Sequence, residues 1–387
     1  MKKILVLLVI VTVCFITCIN KDDKDNIDNT DKGKEPVTST VTFNVNGGTG
    51  GQTAQVTAVL DQAMPELTAN APTNEDYSND GYIKKYFDGY WDAASGGKKY
   101  YNADMTSAAN WDKSEDTELF AHWLTVAQKY HITLGQDDFV AYFVETAPTI
   151  DGNGNDAAWA KAKWQDIKYA WMYQSPRSLS GTLNSDGTVS KTADFSGRFK
   201  VVWTADRLYI LAEIIDDIIY TPGTNPTQSP EKNDCLELFI DENASGGVRN
   251  SDGGNNFFTY HMNFDGINVA DWIGSRNELR NSHLKYVINK NNTTHTYIWE
   301  TEMKVYNGSY PLDSTPDTTP LTLTDGKKMG FAVAYCDNDN NAHSSDSTQI
   351  GDRDHFIGSM FVTGSTDNER NVAYQNSNQY AKLYLVK

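Results

Sequence analysis

The 387-residue chain has few cysteines, too few basic residues to balance its acids, and no apolar run of the about 20 residues that a membrane-spanning helix needs. Its four cysteines, Cys14, Cys18, Cys235 and Cys336, form no CxxC pair, which excludes zinc-ribbon and thioredoxin-type motifs. Cys235 and Cys336 have two open readings: a bridge in an oxidising compartment, or two small buried apolar side chains. With 33 Lys and Arg against 51 Asp and Glu, the formal charge is −18. That balance argues against binding a phosphate backbone and suits a neutral ligand or bound cations. GxSxG, HExxH and P-loop motifs are all missing, so the sequence is read as that of a non-enzyme. Pairs such as Glu300 and Glu302 carry little weight among so many carboxylates.

Aromatic residues are abundant. The 21 tyrosines and 9 tryptophans, within 39% hydrophobic content, suit β-structure and a chain long enough for two domains. Lys2 and Lys3 precede the apolar run Ile4–Ile16, the pattern of a signal peptide over residues 1–17. Residues 18–37 are nearly all Asp, Asn, Lys, Thr and Gly, which cannot bury enough apolar surface to fold and predict a flexible tether. Phe15-Ile16-Thr17-Cys18 resembles a lipobox, and the resemblance implies that Cys18 is lipidated. Lys21-Asp22-Asp23 is similar to the acidic signal that sends some Gram-negative lipoproteins to the cell surface, which implies an outer-membrane anchor.

Val41-Thr42-Phe43-Asn44-Val45 alternates as a strand and runs into an Asn46-Gly47-Gly48 turn. With this VTFNVNGG opening, the DGYWDAASGGKKYYNAD centre and the LFAHW close, the segment resembles an internalin-type B-repeat. That resemblance implies a small β-grasp-like domain, assigned to residues 38–125, acting as spacer or adhesion module. Residues 126–146 read as a connector with strand-like stretches at Lys129–Leu134 and Phe139–Val144.

From residue 147 to 387, short strands separated by Gly, Asn, Asp and Pro predict an antiparallel β-sandwich, making the whole chain mainly β. Val201-Val202-Trp203 and the alternating Leu208–Ile214 flank a tight turn at Thr204–Arg207. In Asp234–Asp241, Leu236, Leu238 and Ile240 share one face, while Cys235, Glu237 and Phe239 share the other. A glutamate between two residues that favour burial needs either a cationic partner, such as His261 or Arg353, or a ligand.

In order, PTIDGNGNDAAW, VVWTADRLYILAEIIDD, NDCLELFIDEN, FTYHMNF, IWETEMKV, KMGFAVAYCDND and YQNSNQYAKLYL resemble the family 9 carbohydrate-binding modules. The resemblance implies a poly- or oligosaccharide partner and structural calcium. It places Glu237 as the ligand-binding carboxylate, Tyr374 where a stacking tryptophan is expected, and Asn371 as a hydrogen-bonding asparagine. His261 stands where the family has arginine, Glu231 where it often has a second stacking aromatic, and Ala334 where it has glutamine; Trp272 and Tyr220 are the candidate replacements for the missing ring. A sugar presents a CH face to aromatic rings and a hydroxyl rim to carboxylates, amides and guanidinium groups. Asp337-Asn338-Asp339-Asn340-Asn341, with Asp346, Asp352 and Asp354, concentrates the oxygen ligands that calcium prefers, with Asp337 and Asp339 favoured. The alternatives are a structural or adhesive surface protein without glycan binding, and a haem protein using His261 or Met262.

Overall fold

The computed structural model describes residues 35–78, 81–173, 183–191, 194–221, 225–249, 257–273, 276–307, 319–340 and 353–387. The signal peptide, Cys18, nearly all of the tether, and Asp346 and Asp352 lie outside the described residues.

Six strands build the first unit: β1 (Thr38–Asn44), β2 (Val56–Val59), β3 (Asn74–Ser78), β4 (Gly81–Trp91), β5 (Lys99–Asn102) and β6 (Thr117–Leu124). Their order is β2-β1-β6-β4-β3, with β5 added to β4. β1 runs parallel to β6 at the centre, as in a β-grasp. Tyr90, Tyr100, Tyr101 and Trp111 are fully buried in its core, so the aromatic motif residues here pack the interior.

Residues 125–131 form no strand. The Thr125 hydroxyl accepts from the Gln128 amide, and the Gln128 side chain accepts from the Thr125 amide. This capping box starts helix α1 (Val126–Tyr130), which overrides the strand expected from Lys129. Farther on, β7 (Phe139–Phe143) forms as expected but belongs to the second unit, where it runs parallel to both neighbours. Tyr82 and Tyr142 meet edge to face at 4.6 Å, and with Val126 and Val386 they form a buried cluster joining the two units.

The second unit is a β-sandwich of β7 and thirteen further strands. These are β8 (Gln165–Ile167), β9 (Tyr169–Tyr173), β10 (Phe195–Thr204), β11 (Arg207–Asp216), β12 (Cys235–Asp241), β13 (Phe258–Asn263) and β14 (Val269–Ile273). They continue with β15 (Arg276–Leu279), β16 (Leu284–Asn291), β17 (Thr296–Met303), β18 (Lys328–Asp337), β19 (His355–Gly358) and β20 (Ala381–Val386). One layer centres on β13-β12-β18 and the other on β10-β11-β17, and β20 and β7 carry the hydrogen bonding between them. Apart from β7 the pairing is antiparallel. Across the layers, Phe195 stacks on Tyr335 at 5.5 Å, and the Thr301 hydroxyl reaches the Met262 sulfur at 3.6 Å. The β10–β11 hairpin closes between Thr204 and Arg207, as its turn residues predict.

The entry to the sandwich is fastened by one carboxylate. Glu300 on β17 is fully buried and accepts from the amides of Gly152 at 2.7 Å, Asp151 at 3.1 Å and Gly154 at 3.1 Å, and from Trp159 Nε1 at 2.9 Å. Gly152 and Gly154 supply the left-handed backbone (φ +84° and +65°) that turns those amides inward. Glu300 is therefore structural. Glu300→Gln should cost about 2–3 kcal/mol in urea unfolding, because an NH₂ would then face bound donors; an unchanged midpoint would contradict this role.

Candidate functional site

All seven residues of β12 are buried, because both of its faces are covered. Leu236, Leu238 and Ile240 join the main core, as their alternation predicts. On the other face, Phe239 packs edge to face against Trp171 at 5.5 Å and Tyr380 at 5.8 Å. Glu237 occupies this second face, and there a cavity of about 230 Å³ opens.

The cavity gathers residues from distant parts of the chain: Glu237, His261, Arg353, Phe356, Asn371 and Tyr374, with Glu231 also in its lining. Glu237, Asn371, Tyr374 and His261, the four residues selected from the sequence, are thus brought together. His261 lies directly across from Glu237 on β13, and Ala334 faces it on β18. Tyr220 is not among the described residues that line the cavity, and the Trp272 side chain lies outside the described residues.

Glu237 is held through one oxygen. Its Oε1 accepts from Cys336 Sγ at 2.8 Å, with His261 Nε2 at 3.3 Å and Arg353 Nη1 at 3.9 Å. Oε2 is buried without a hydrogen-bond partner, and so is Nδ1 of His261. Burial pushes the Glu237 carboxyl well above the usual carboxylate range; the Cys336 sulfur adds to that, while His261 and Arg353 pull it back. An unpartnered carboxyl oxygen facing a cavity is the acceptor that a ligand hydroxyl would satisfy.

Arg353, just before β19, was not among the residues selected as ligand contacts. Its guanidinium lies 4.1 Å from the centre of the Phe356 ring and donates to Asn371 Oδ1 and Cys336 Sγ, each at 3.1 Å. A β19 strand paired with β18 folds Arg353 and Phe356 into the site. Asn371 caps α2 (Asp367–Arg370), whose Thr366 and Glu369 form a second capping box and whose Arg370 Nε donates to the Ala170 carbonyl at 3.0 Å. Tyr374 follows in a 3₁₀ turn tied to β13, since the Thr259 hydroxyl donates to its carbonyl at 3.1 Å. The partly buried Tyr374 ring is the aromatic surface available for stacking, because Phe356 is 1% exposed beneath Arg353. Glu231 contributes a carboxylate where a second ring was absent in the sequence.

A separate acidic centre lies where the ends of β11 and β18 meet the start of β12. Asp216, Asp234 and Asp337 bring one oxygen each within 4.8 Å of one another, as do Asp194, Asp217 and Asp339. Asp216 accepts from the Tyr335 hydroxyl at 2.7 Å, and Asp234 accepts from the Asn338 amide at 2.7 Å and from the Tyr220 amide. Asp337 is fully buried, and neither of its oxygens has a hydrogen-bond partner. Burial and mutual repulsion raise Asp216 to about 8 and Asp339 to about 9, and hold Asp234 and Asp337 well above the usual carboxylate range. An all-oxygen donor set with orphaned buried acceptors fits a hard cation. Asp337 and Asp339 thus fall in two adjoining groups. Asp194, Asp216, Asp217 and Asp234 were missed, although the Asp216-Asp217 pair ending a strand and Asp234 opening another were visible signals.

Residues 150–387 match the model of a family described as carbohydrate family 9 binding domain-like. Among solved structures, a family 9 carbohydrate-binding module from Caldicellulosiruptor kristjanssonii in complex with cellotriose is similar, with 18% identity and a TM-score of 0.40, covering 64% of this chain and 93% of that one. The same module in complex with glucose gives 19% identity and a TM-score of 0.40, covering 64% and 95%. No protein of curated function matches. Over its second unit, the chain belongs to the carbohydrate family 9 binding domain-like family.

Proposed function

We propose that the protein binds a saccharide, without catalysis, in the cavity beside Glu237. One observation carries this: a buried carboxyl with a free acceptor oxygen, a guanidinium, an amide and a tyrosine ring converge on one concave site. Glu237 Oε2 accepts a ligand hydroxyl, Arg353 and Asn371 serve neighbouring hydroxyls, and Tyr374 covers a CH face. Glu237 is engaged by Cys336, His261 and Arg353 rather than poised as an acid or nucleophile, which supports binding over chemistry. Tyr374→Ala should weaken binding to members of a glycan panel about tenfold. Glu237→Ala should weaken it at least as much, with the melting temperature of each variant confirming folding. Unchanged affinities would overturn the site; a blank panel with attachment to protein surfaces would favour the adhesive alternative.

The acidic centre is proposed to hold calcium, with Asp337 as the principal ligand and Asp216 and Asp234 beside it, and Asp339 in the adjoining group. The cation would coordinate the Asp337 oxygens, which are buried without a hydrogen-bond partner. Calcium added to chelator-treated protein should raise the melting temperature, by the equivalent of about 2.7 kcal/mol at a hundredfold excess over Kd. Asp337→Asn should abolish most of that rise. No calcium response in the unaltered protein would contradict the site.

The protein is further proposed to be a lipoprotein anchored at Cys18 in the outer membrane and facing outward, its β-grasp-like unit serving as an internalin-type spacer. The apolar run before Cys18 and the polar stretch after it support this placement. Protease added to intact cells should remove the protein; survival until lysis would place it inside.

A further inference from the structure

Cys235 and Cys336 are the two cysteines among the described residues, and they stand directly opposite each other on β12 and β18. In an antiparallel pair, facing Cα atoms lie about 4.5–5.5 Å apart, inside the range a disulfide spans. Both side chains are on the Glu237 face of β12, and the two sulfurs and a Glu237 carboxylate oxygen lie within 4.8 Å of one another. Both residues are fully buried as thiols.

We propose that Cys235 and Cys336 form a cross-strand disulfide beside the cavity, and that closing it releases Glu237 and Arg353 from the Cys336 sulfur into the binding site. The oxidant is a disulfide such as oxidised glutathione. One of the two cysteine thiolates attacks a sulfur of it and expels a glutathione thiolate; the other cysteine thiolate then attacks the protein sulfur of the mixed disulfide and expels the second. Two protein thiols are oxidised, one glutathione disulfide is reduced to two thiols, and the two protein protons end on the two leaving thiolates. Because both sulfurs are sealed in the finished fold, the exchange takes place during folding, before β12 and β18 close.

The bond removes the Cys336 thiol proton that Glu237 Oε1 accepts and leaves Arg353 Nη1 facing a disulfide sulfur, a weaker acceptor. Glu237 is left with both oxygens for His261, Arg353 and a ligand, and Arg353 keeps Asn371. This inference is independent of which ligand the cavity takes.

The test refolds the full chain from denaturant in a glutathione redox buffer, alkylates it under denaturing conditions and maps its peptides by mass. The expected result is a linked pair of peptides carrying Cys235 and Cys336, both unalkylated. Full alkylation of both cysteines would overturn the proposal. Protein refolded in reductant instead should show a lower urea midpoint and shifted Arg353 side-chain nitrogen resonances. A Cys235→Ala/Cys336→Ala variant should be insensitive to reductant in both measurements. An Arg353 signal indifferent to redox state would overturn the link to the cavity.

Discussion

The site depends on a carboxylate placed on a strand that is covered on both sides. Most carboxylates in this acidic chain are free to stay in water, but β12 takes Glu237 fully out of it. Desolvating a charge is costly unless it is neutralised or paired, so the neighbourhood is forced to answer. His261 from β13, Cys336 from β18 and Arg353 from the approach to β19 all converge on one oxygen. The second oxygen is left without a hydrogen-bond partner in a residue that lines the cavity. The loop carrying Asn371 and Tyr374 is in turn fixed by Arg353, Ala170 and Thr259 through hydrogen bonds to neighbouring strands. The cavity-lining groups are thus held in place by the fold itself, which would spare the ordering cost of binding a ligand.

The same physics operates twice more in the sandwich with different outcomes. Glu300 is as deeply buried, but three amides and an indole satisfy it, so it fastens structure and has nothing left to offer a ligand. Asp337 is equally buried with neither oxygen satisfied, and its neighbours are more carboxylates. Complete satisfaction, partial satisfaction beside a cavity, and none among like charges separate a structural acid, the acid proposed to meet a ligand and the acid proposed to hold a cation.

Alternation along β12 made Glu237 legible in the sequence, because period-two spacing places it with Cys235 and Phe239 whatever the rest of the fold does. His261, Asn371 and Tyr374 were legible through motif order. Arg353 was legible only as a cation able to pair with Glu237, which it does, and Phe356 not at all, since their place in the cavity depends on β19 returning to pair with β18, a contact that no local pattern encodes. The acidic centre was half legible for the same reason: Asp337 and Asp339 are adjacent in a conspicuous run, whereas Asp194, Asp216, Asp217 and Asp234 come from other strand ends. At the junction, local chemistry misled in one place. Lys129–Leu134 looked strand-like, but the Thr125–Gln128 capping box starts a helix there, and the strand that follows, β7, serves the sandwich rather than a free connector.

Titration of the Glu237 side-chain carboxyl by carbon-13 NMR, with and without saccharide, tests the central claim most directly. The account predicts a resonance that titrates well above the ordinary carboxylate range, as burial demands, and that shifts when a binding sugar fills the cavity. A Glu237 signal that titrates like a solvent-exposed glutamate and ignores every saccharide that binds the protein would contradict it.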